Sequence, residues 1–174
     1  TPHDSHFITD WLDSANAQLP AVERHIWLVR ILDWVREGEP VAHVQYLLGQ
    51  AYLMTGASPL ARESFEQAVA LQPGLVDAGL ALAMIENRGG QSQRARTRLT
   101  AILKSHSDHR QALELMFGLD LETGNWNHAA SILSRLRQLE GESAAVRMAE
   151  GRLRESRKDF AGAIAAYEQA ATLA

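Results

Sequence analysis

The chain has 174 residues, of which 46% are hydrophobic and 22% are charged, a composition typical of a globular domain rather than of a disordered or fibrous chain. Its 17 basic and 21 acidic residues give a net charge of −4, which argues against a dedicated nucleic-acid-binding protein. Cysteine is absent, so disulfides and thiolate metal sites are excluded, and no apolar run is long enough to predict a transmembrane segment.

Residues 1–41 are predicted to form two helices that precede the regular part of the chain. The first, over residues 4–19, has its apolar residues on one face, and the second, which follows Pro20, is apolar on most sides. A helix of the second kind must be covered on most sides. We therefore expect this pair to cap the following helices or, as the alternative, to form a self-association surface through Trp27 and Trp34.

From residue 42 onwards the sequence repeats itself at a spacing of 34 residues. One column of the repeat is always small, and a second is always bulky. The small column holds Ala61, Ala95, Ala129 and Ala163, and the bulky column holds Phe65, Leu99, Leu133 and Tyr167. Columns that keep one register without insertions indicate repeated structural units.

Each unit is predicted to be a helical hairpin. In the first unit one apolar stripe lies in residues 42–55 and a second follows Pro59, with Gly56 in the turn between them. Ser58 is expected to be the N-cap of the second helix, with Pro59 at its first position. Gly49 is expected to lie where the two helix axes cross closely, so a larger residue there would overpack the hairpin. The N-caps expected at the later turns are Asn125 and Asp159.

The first unit resembles a tetratricopeptide repeat (TPR). The signature reads Leu48-Gly49-x-x-Tyr52, then Ala61-x-x-x-Phe65-x-x-Ala68, then Pro73, with Gln45 in place of the family's opening tryptophan. The resemblance implies an all-α fold, a right-handed α-solenoid of antiparallel helix pairs. The predicted units are 42–75, 76–109, 110–143 and 144–174, preceded by the divergent pair in 1–41. The second and third are degenerate, because they lack the tyrosine and the proline.

The resemblance also implies that a partner contacts the inner face of the first helix of each unit, which lines a concave groove. The residues at these positions are His43, Tyr46, Gln50, Leu53 and Met54 in the first unit, Asp77, Leu80, Met84, Asn87 and Arg88 in the second, and Gln111, Glu114, Gly118, Leu121 and Glu122 in the third. This mixture suits an extended or helical peptide, since methionine adapts its shape to a ligand. The alternative is that some of these side chains are merely exposed or cover the next helix.

Two ligand classes of the TPR family are not expected. Chaperone-binding members grip a C-terminal carboxylate with Lys, Asn and Arg, whereas the corresponding positions here are Tyr46, Gln50, Gln111 and Leu115. Sugar-transferase members carry an asparagine ladder on the inner face. Its positions here are Leu47, Ala81 and Leu115.

No residue pattern predicts catalysis, a metal site or a cofactor. Histidines stand three residues apart at His3 and His6 and again at His106 and His109, but zinc requires more ligands than two. Asp108 with Gln111 is better explained as a helix-capping pair. The basic stretch 88–110 is expected to be a solvated face, with an acidic partner or the acidic N-terminal part as the alternative contact.

We therefore expect a non-catalytic protein–protein interaction scaffold that binds a peptide or partner protein, within a bacterial multi-protein assembly. One alternative is the regulatory or substrate-recruiting arm of a larger enzyme, and another is a homo-oligomeric unit built through the tryptophan-rich helices. Envelope, secretion and polysaccharide-export processes use many similar arrays, which favours the periplasm, with the cytoplasm as the alternative. The chain ends within a predicted helix, so a longer parent protein is expected.

Overall fold

The computed structural model describes residues 41–173, which form helices joined by short turns. The helices are α1 (Val41–Met54), α2 (Ser58–Leu71), α3 (Val76–Arg88), α4 (Ser92–Ser105), α5 (Arg110–Glu122), α6 (Trp126–Glu140), α7 (Ala144–Ser156) and α8 (Phe160–Thr172). No strand occurs within this range. The helix pair expected in 1–41, with Trp27 and Trp34, lies outside the described residues.

The helices fall into two compact units, residues 41–82 and residues 83–173, and α3 crosses the division. In the first unit α1 packs against α2. In the second unit α5 packs against α6 and α7 against α8, and contacts of α4 with α5 and of α6 with α7 join successive hairpins. Because each helix contacts its neighbours along the chain, the predicted all-α fold of stacked antiparallel helix pairs is confirmed.

The turn inside each hairpin is built from the same hydrogen bonds. The amide that follows the turn donates to a carbonyl five residues earlier, as Ala57 does to Tyr52, Gln91 to Glu86, Asn125 to Asp120 and Asp159 to Arg154, at 2.8 to 2.9 Å. The residue before this amide has a positive φ, which is the Schellman arrangement. Gly56, Gly90 and Gly124 fill that position in three hairpins, and Lys158, with φ of 65°, fills it in the fourth.

A small residue opposite a bulky one sets the crossing of each helix pair. A Cβ atom on Gly49 would lie 2.5 Å from Cε1 of Phe65, a side chain that is completely buried. In the last hairpin a Cβ on Gly151 would clash in the same way with the ring of Tyr167. The predicted close approach at Gly49 is therefore confirmed, because only a hydrogen fits between the two helices there.

Ion pairs replace the family's tyrosine in the degenerate hairpins. Glu86 stands 34 residues after Tyr52 and receives both Nε and Nη2 of Arg98, at 3.2 and 2.8 Å. Asp120, one repeat later, is completely buried and accepts from Nη1 of Arg96 at 2.6 Å. His128 Nδ1 lies 2.5 Å from the other oxygen of this carboxylate. Since Arg96 lies on α4 and Asp120 on α5, this pair joins two successive hairpins.

The predicted N-caps are partly wrong. Ala57, not Ser58, occupies the cap position of α2, because the helix starts directly after the turn amide and Ser58 already lies inside it. Asp159 caps α8 by accepting from the amide of Gly162 at 3.0 Å, as expected. Asn125 occupies the cap position of α6 without a side-chain bond to that helix.

The cap of α5 is His109, whose Nδ1 accepts from the amide of Ala112 at 3.3 Å. The predicted capping pair of Asp108 with Gln111 is therefore wrong. Asp108 lies one residue too early, since the helix begins at Arg110.

Replacing Gly49 with alanine should destabilise the protein by about 1–3 kcal/mol, because the new methyl group overlaps a buried ring that has no room to move. Gly118 provides the matched control, since it also lies inside a helix but nothing is within 4 Å of its Cβ position. Gly118→Ala should stabilise the protein by about 0.5–1 kcal/mol through helix propensity. Urea unfolding of both variants measures the two signs, and equal effects would contradict the close crossing at Gly49.

Lys158→Gly should raise the free energy of unfolding by about 1 kcal/mol, because the side chain at this positive φ costs about 1–2 kcal/mol. The reciprocal change, Gly124→Lys, should lower it by a similar amount. Thermal unfolding of the two variants tests this expectation. If Lys158→Gly lowered the melting temperature, the turns of the third and fourth hairpins would not be equivalent.

Candidate partner-binding face

The predicted inner-face residues of the first unit lie on α1 around Tyr46. The Tyr46 hydroxyl accepts from Nε2 of Gln50 at 2.6 Å, and its ring lies 5.8 Å from the ring of His43. These three side chains are half-buried, whereas Leu53 and Met54 are exposed at the end of the helix. Residues 43–54 thus offer an aromatic and polar start and an apolar end.

Burial raises the pKa of the Tyr46 phenol, and the negative charge of Asp77 raises it further, against a smaller lowering by the hydrogen bond from Gln50. The phenol therefore stays protonated at neutral pH. Its hydroxyl remains a hydrogen-bond donor for a ligand while it accepts from Gln50.

Leu80 does not belong to an accessible face. Its side chain is 2% exposed, so it packs in the core of the first unit and cannot contact a partner. The repeat register placed it one turn from Met84, but the residue faces inwards. Asp77, on the same helix, is exposed.

Two cavities lie along the first helices in residues 83–173. The first has a volume of about 150 Å³ and is lined by residues from α3, α4 and α5. Those that matter most are Met84, Asn87, Arg88, Leu99, Leu115 and Leu119. Leu99 and Leu119 are buried and form the floor, whereas Arg88 is exposed at the rim. Three of the predicted inner-face residues, Met84, Asn87 and Arg88, are therefore brought together here.

The second cavity is larger, about 360 Å³, and is lined by residues from α5, α6 and α7. Its main lining residues are Glu114, Phe117, Glu140, Val146, Met148 and Arg152. Phe117 and Val146 are buried, while Met148 is 48% exposed. The guanidinium of Arg152 lies over the ring of Phe117, 5.9 Å from its centroid, so an aromatic side chain supports the cation at the rim.

Met148 and Arg152 were missing from the set predicted from the sequence. They stand 34 residues after Glu114 and Gly118, so the same register extended into the fourth unit would have found them. The remaining members of the predicted set, Gln111, Leu121 and Glu122, do not line the main walls of either cavity. Glu122 instead accepts from Nδ2 of Asn87 at 2.9 Å.

The carboxylates beside the second cavity are already neutralised. Arg110 places its Nε 2.9 Å from Oε1 of Glu114 and 2.9 Å from Oε1 of Glu140. This fork joins the start of α5 to the end of α6. Neither glutamate therefore offers a free negative charge to a ligand.

A second ionic cluster holds α7, which carries Met148 and Arg152, against α6. Glu150 on α7 receives Arg137 from α6 at 2.9 Å and Arg147 and Arg154 from its own helix at 2.9 and 2.7 Å. Burial acts to raise the pKa of Glu150, but the hydrogen bonds from Arg154 and Arg147 and the nearby charges outweigh it and hold the pKa below its ordinary value. Glu150 is therefore ionised at neutral pH and bridges the two helices.

Residues 41–173 contain no cluster of three or more His, Cys, Asp or Glu side chains that could bind a metal ion. Within the same range, every helix is too short or too polar to cross a bilayer.

The repeated hairpins match a known family. Models of the tetratricopeptide repeat match residues 29–76 and 119–174, and a further model of the same repeat matches residues 77–109. The chain belongs to the tetratricopeptide repeat (TPR) family. The TPR is a helical fold through which proteins bind other proteins, so the predicted family and the general class of function are confirmed. A search of curated protein sequences finds no match.

Solved TPR structures share the fold of this chain at low sequence identity. A tetratricopeptide repeat protein from Parabacteroides merdae superposes with a TM-score of 0.73 at 14% identity, over 87% of this chain and 67% of that one. MamA from Desulfovibrio magneticus gives 0.69 at 16% identity, over 87% and 93% of the two chains. The APC/C complex Cut9-Hcn1 gives 0.72 at 17% identity, over 86% of this chain and 29% of that one.

Glu150→Gln should lower the melting temperature at neutral pH, because it removes the charge that Arg137, Arg147 and Arg154 share. A carboxyl whose pKa is lowered by folding adds stability above its unfolded pKa, about 4.3 for glutamate, and this stability is lost as the pH falls through the folded value. The difference in melting temperature between wild type and variant should therefore be full at pH 7 and shrink below about pH 4. A difference independent of pH would show that Glu150 acts by packing alone.

Proposed function

We propose that this TPR chain is a non-catalytic scaffold whose partner segment lies along the first-helix face of residues 83–173. The observation that carries the proposal is the pair of cavities on that face. Each combines a buried apolar floor with a half-exposed methionine, Met84 in the first cavity and Met148 in the second.

The dimensions and lining of the cavities favour a peptide over a small substrate. Ligand pockets for whole small molecules span about 300–1,000 Å³, and only the second cavity reaches that range. Two shallow apolar cavities in a row suit successive side chains of one extended or helical segment. Methionines at both rims allow the face to adapt to different side chains.

The lining also favours binding over catalysis. Neither cavity is lined by a serine, cysteine, histidine, lysine or tyrosine, so a nucleophile with its base is not assembled there. The glutamates of the second cavity are held in ion pairs with Arg110, which leaves them no role as a general acid or base.

The wider role that we propose is that of a subunit in a bacterial multi-protein assembly. TPR proteins of two bacteria are among the structures that share the fold. The assembly, the compartment and a self-association through the residues preceding 41 are further parts of this hypothesis, and we favour an envelope or secretion process.

Panning the chain against a phage library of random peptides tests the proposed face. Peptides enriched by the wild type should bind Met84→Ala and Met148→Ala about tenfold more weakly, since truncation of an anchor contact costs more than 1 kcal/mol. Ile164→Ala is the matched control, because Ile164 is an exposed apolar residue on α8 that lines neither cavity. Fluorescence anisotropy of the labelled peptides measures the three affinities.

The expected result is a loss of affinity in the two methionine variants and an affinity within about twofold of wild type for the control. Equal losses in all three variants, or a loss in Ile164→Ala alone, would contradict the location of the site. Circular dichroism of each variant shows whether it is folded.

A further inference from the structure

The charges on the face that carries the two cavities are not balanced in the way the composition of the chain suggests. The chain as a whole has a net charge of −4. On this face, however, the carboxylates have partners: Glu114 and Glu140 pair with Arg110, and Glu122 accepts from Asn87. The negative charges are thus engaged within the protein.

Two arginines at the rims differ from the rest. Arg88 at the first cavity and Arg152 at the second have no ion pair and no side-chain hydrogen bond with any residue in 41–173. Other arginines of the second unit are paired with carboxylates. These are Arg96, Arg98, Arg110, Arg137, Arg147 and Arg154.

An unpaired guanidinium at the rim of an apolar cavity is suited to a carboxylate. Its planar fork matches the two oxygens of a carboxylate, and a charge-assisted bond of this kind is about twice as strong as a neutral one. Arg152 is further suited to this role because it rests on the ring of Phe117, which limits its freedom before a ligand arrives. The surplus charge available to a ligand at each cavity is therefore positive.

We propose that the partner segment of this face is an acidic, apolar peptide. One apolar side chain enters each cavity, and carboxylates of the same segment pair with Arg88 and Arg152. This inference rests on the proposed function, because it specifies the chemistry of the peptide that the face binds. It adds a selection rule, namely that a basic peptide of the same apolar content is rejected.

Three synthetic libraries of labelled 12-residue peptides test the rule. All three carry Leu, Ile, Val, Phe or Met at alternate positions, and the other positions are Asp and Glu in the first library, Asn and Gln in the second, and Lys and Arg in the third. A fourth set combines Asp and Glu with Gly and Ser and lacks the apolar anchors. Binding to the wild-type chain is measured by fluorescence anisotropy.

The tightest acidic peptides should bind at least tenfold better than their Asn/Gln counterparts, and the basic and the anchor-free sets should bind more weakly still. Arg152→Gln and Arg88→Gln should each reduce the preference for acidic over neutral peptides several-fold. Arg94→Gln is the matched control, because Arg94 is an exposed arginine on α4 that lines neither cavity, and it should leave the preference unchanged.

Neutral or basic peptides that bind as well as acidic ones would overturn this inference and leave the proposed function standing. Anchor-free acidic peptides that bind equally well would also overturn it, because the cavities would then contribute nothing. Binding by no peptide of any library would overturn the proposed function together with the inference.

Discussion

The close approach of two helices within each hairpin is the constraint on which the rest of the structure depends. At Gly49 and at Gly151 a ring from the second helix fills the space that a Cβ would need. The Schellman turn, with its positive φ, then returns the chain at the same angle in each hairpin. Because this geometry needs only a few fixed positions, the remaining positions are free to change from one repeat to the next.

That freedom explains how degenerate repeats keep the fold. Glu86 and Asp120 stand where the first repeat has Tyr52, and each is held by an arginine from a neighbouring helix. A buried carboxylate without a partner would be costly, so these arginines must change together with the acids. The same freedom allows the inner face of the second unit to acquire two cavities and two unpaired arginines without disturbing the stack.

The fold could be predicted almost entirely from the sequence, since the columns of small and bulky residues are visible at a spacing of 34. The candidate face could be predicted only in part. Met148 follows from the register, but Leu80 shows that the register does not determine exposure. The ion pairs of Arg110 with Glu140 and of Asn87 with Glu122 join residues 30 or more positions apart, and such pairings cannot be derived from sequence spacing. Without them, the unpaired state of Arg152 could not be recognised.

Methyl NMR of the methionines tests most directly where a partner binds. The chain has four methionines: Met54 in the first unit, Met84 and Met148 at the two cavities, and Met116, which is buried at 2% exposure. With ¹³C-labelled methyl groups, titration with a selected peptide should shift the signals of Met84 and Met148 together and leave Met54 and Met116 nearly unchanged. A shift of Met54 alone, with both cavity methionines unaffected, would contradict the account.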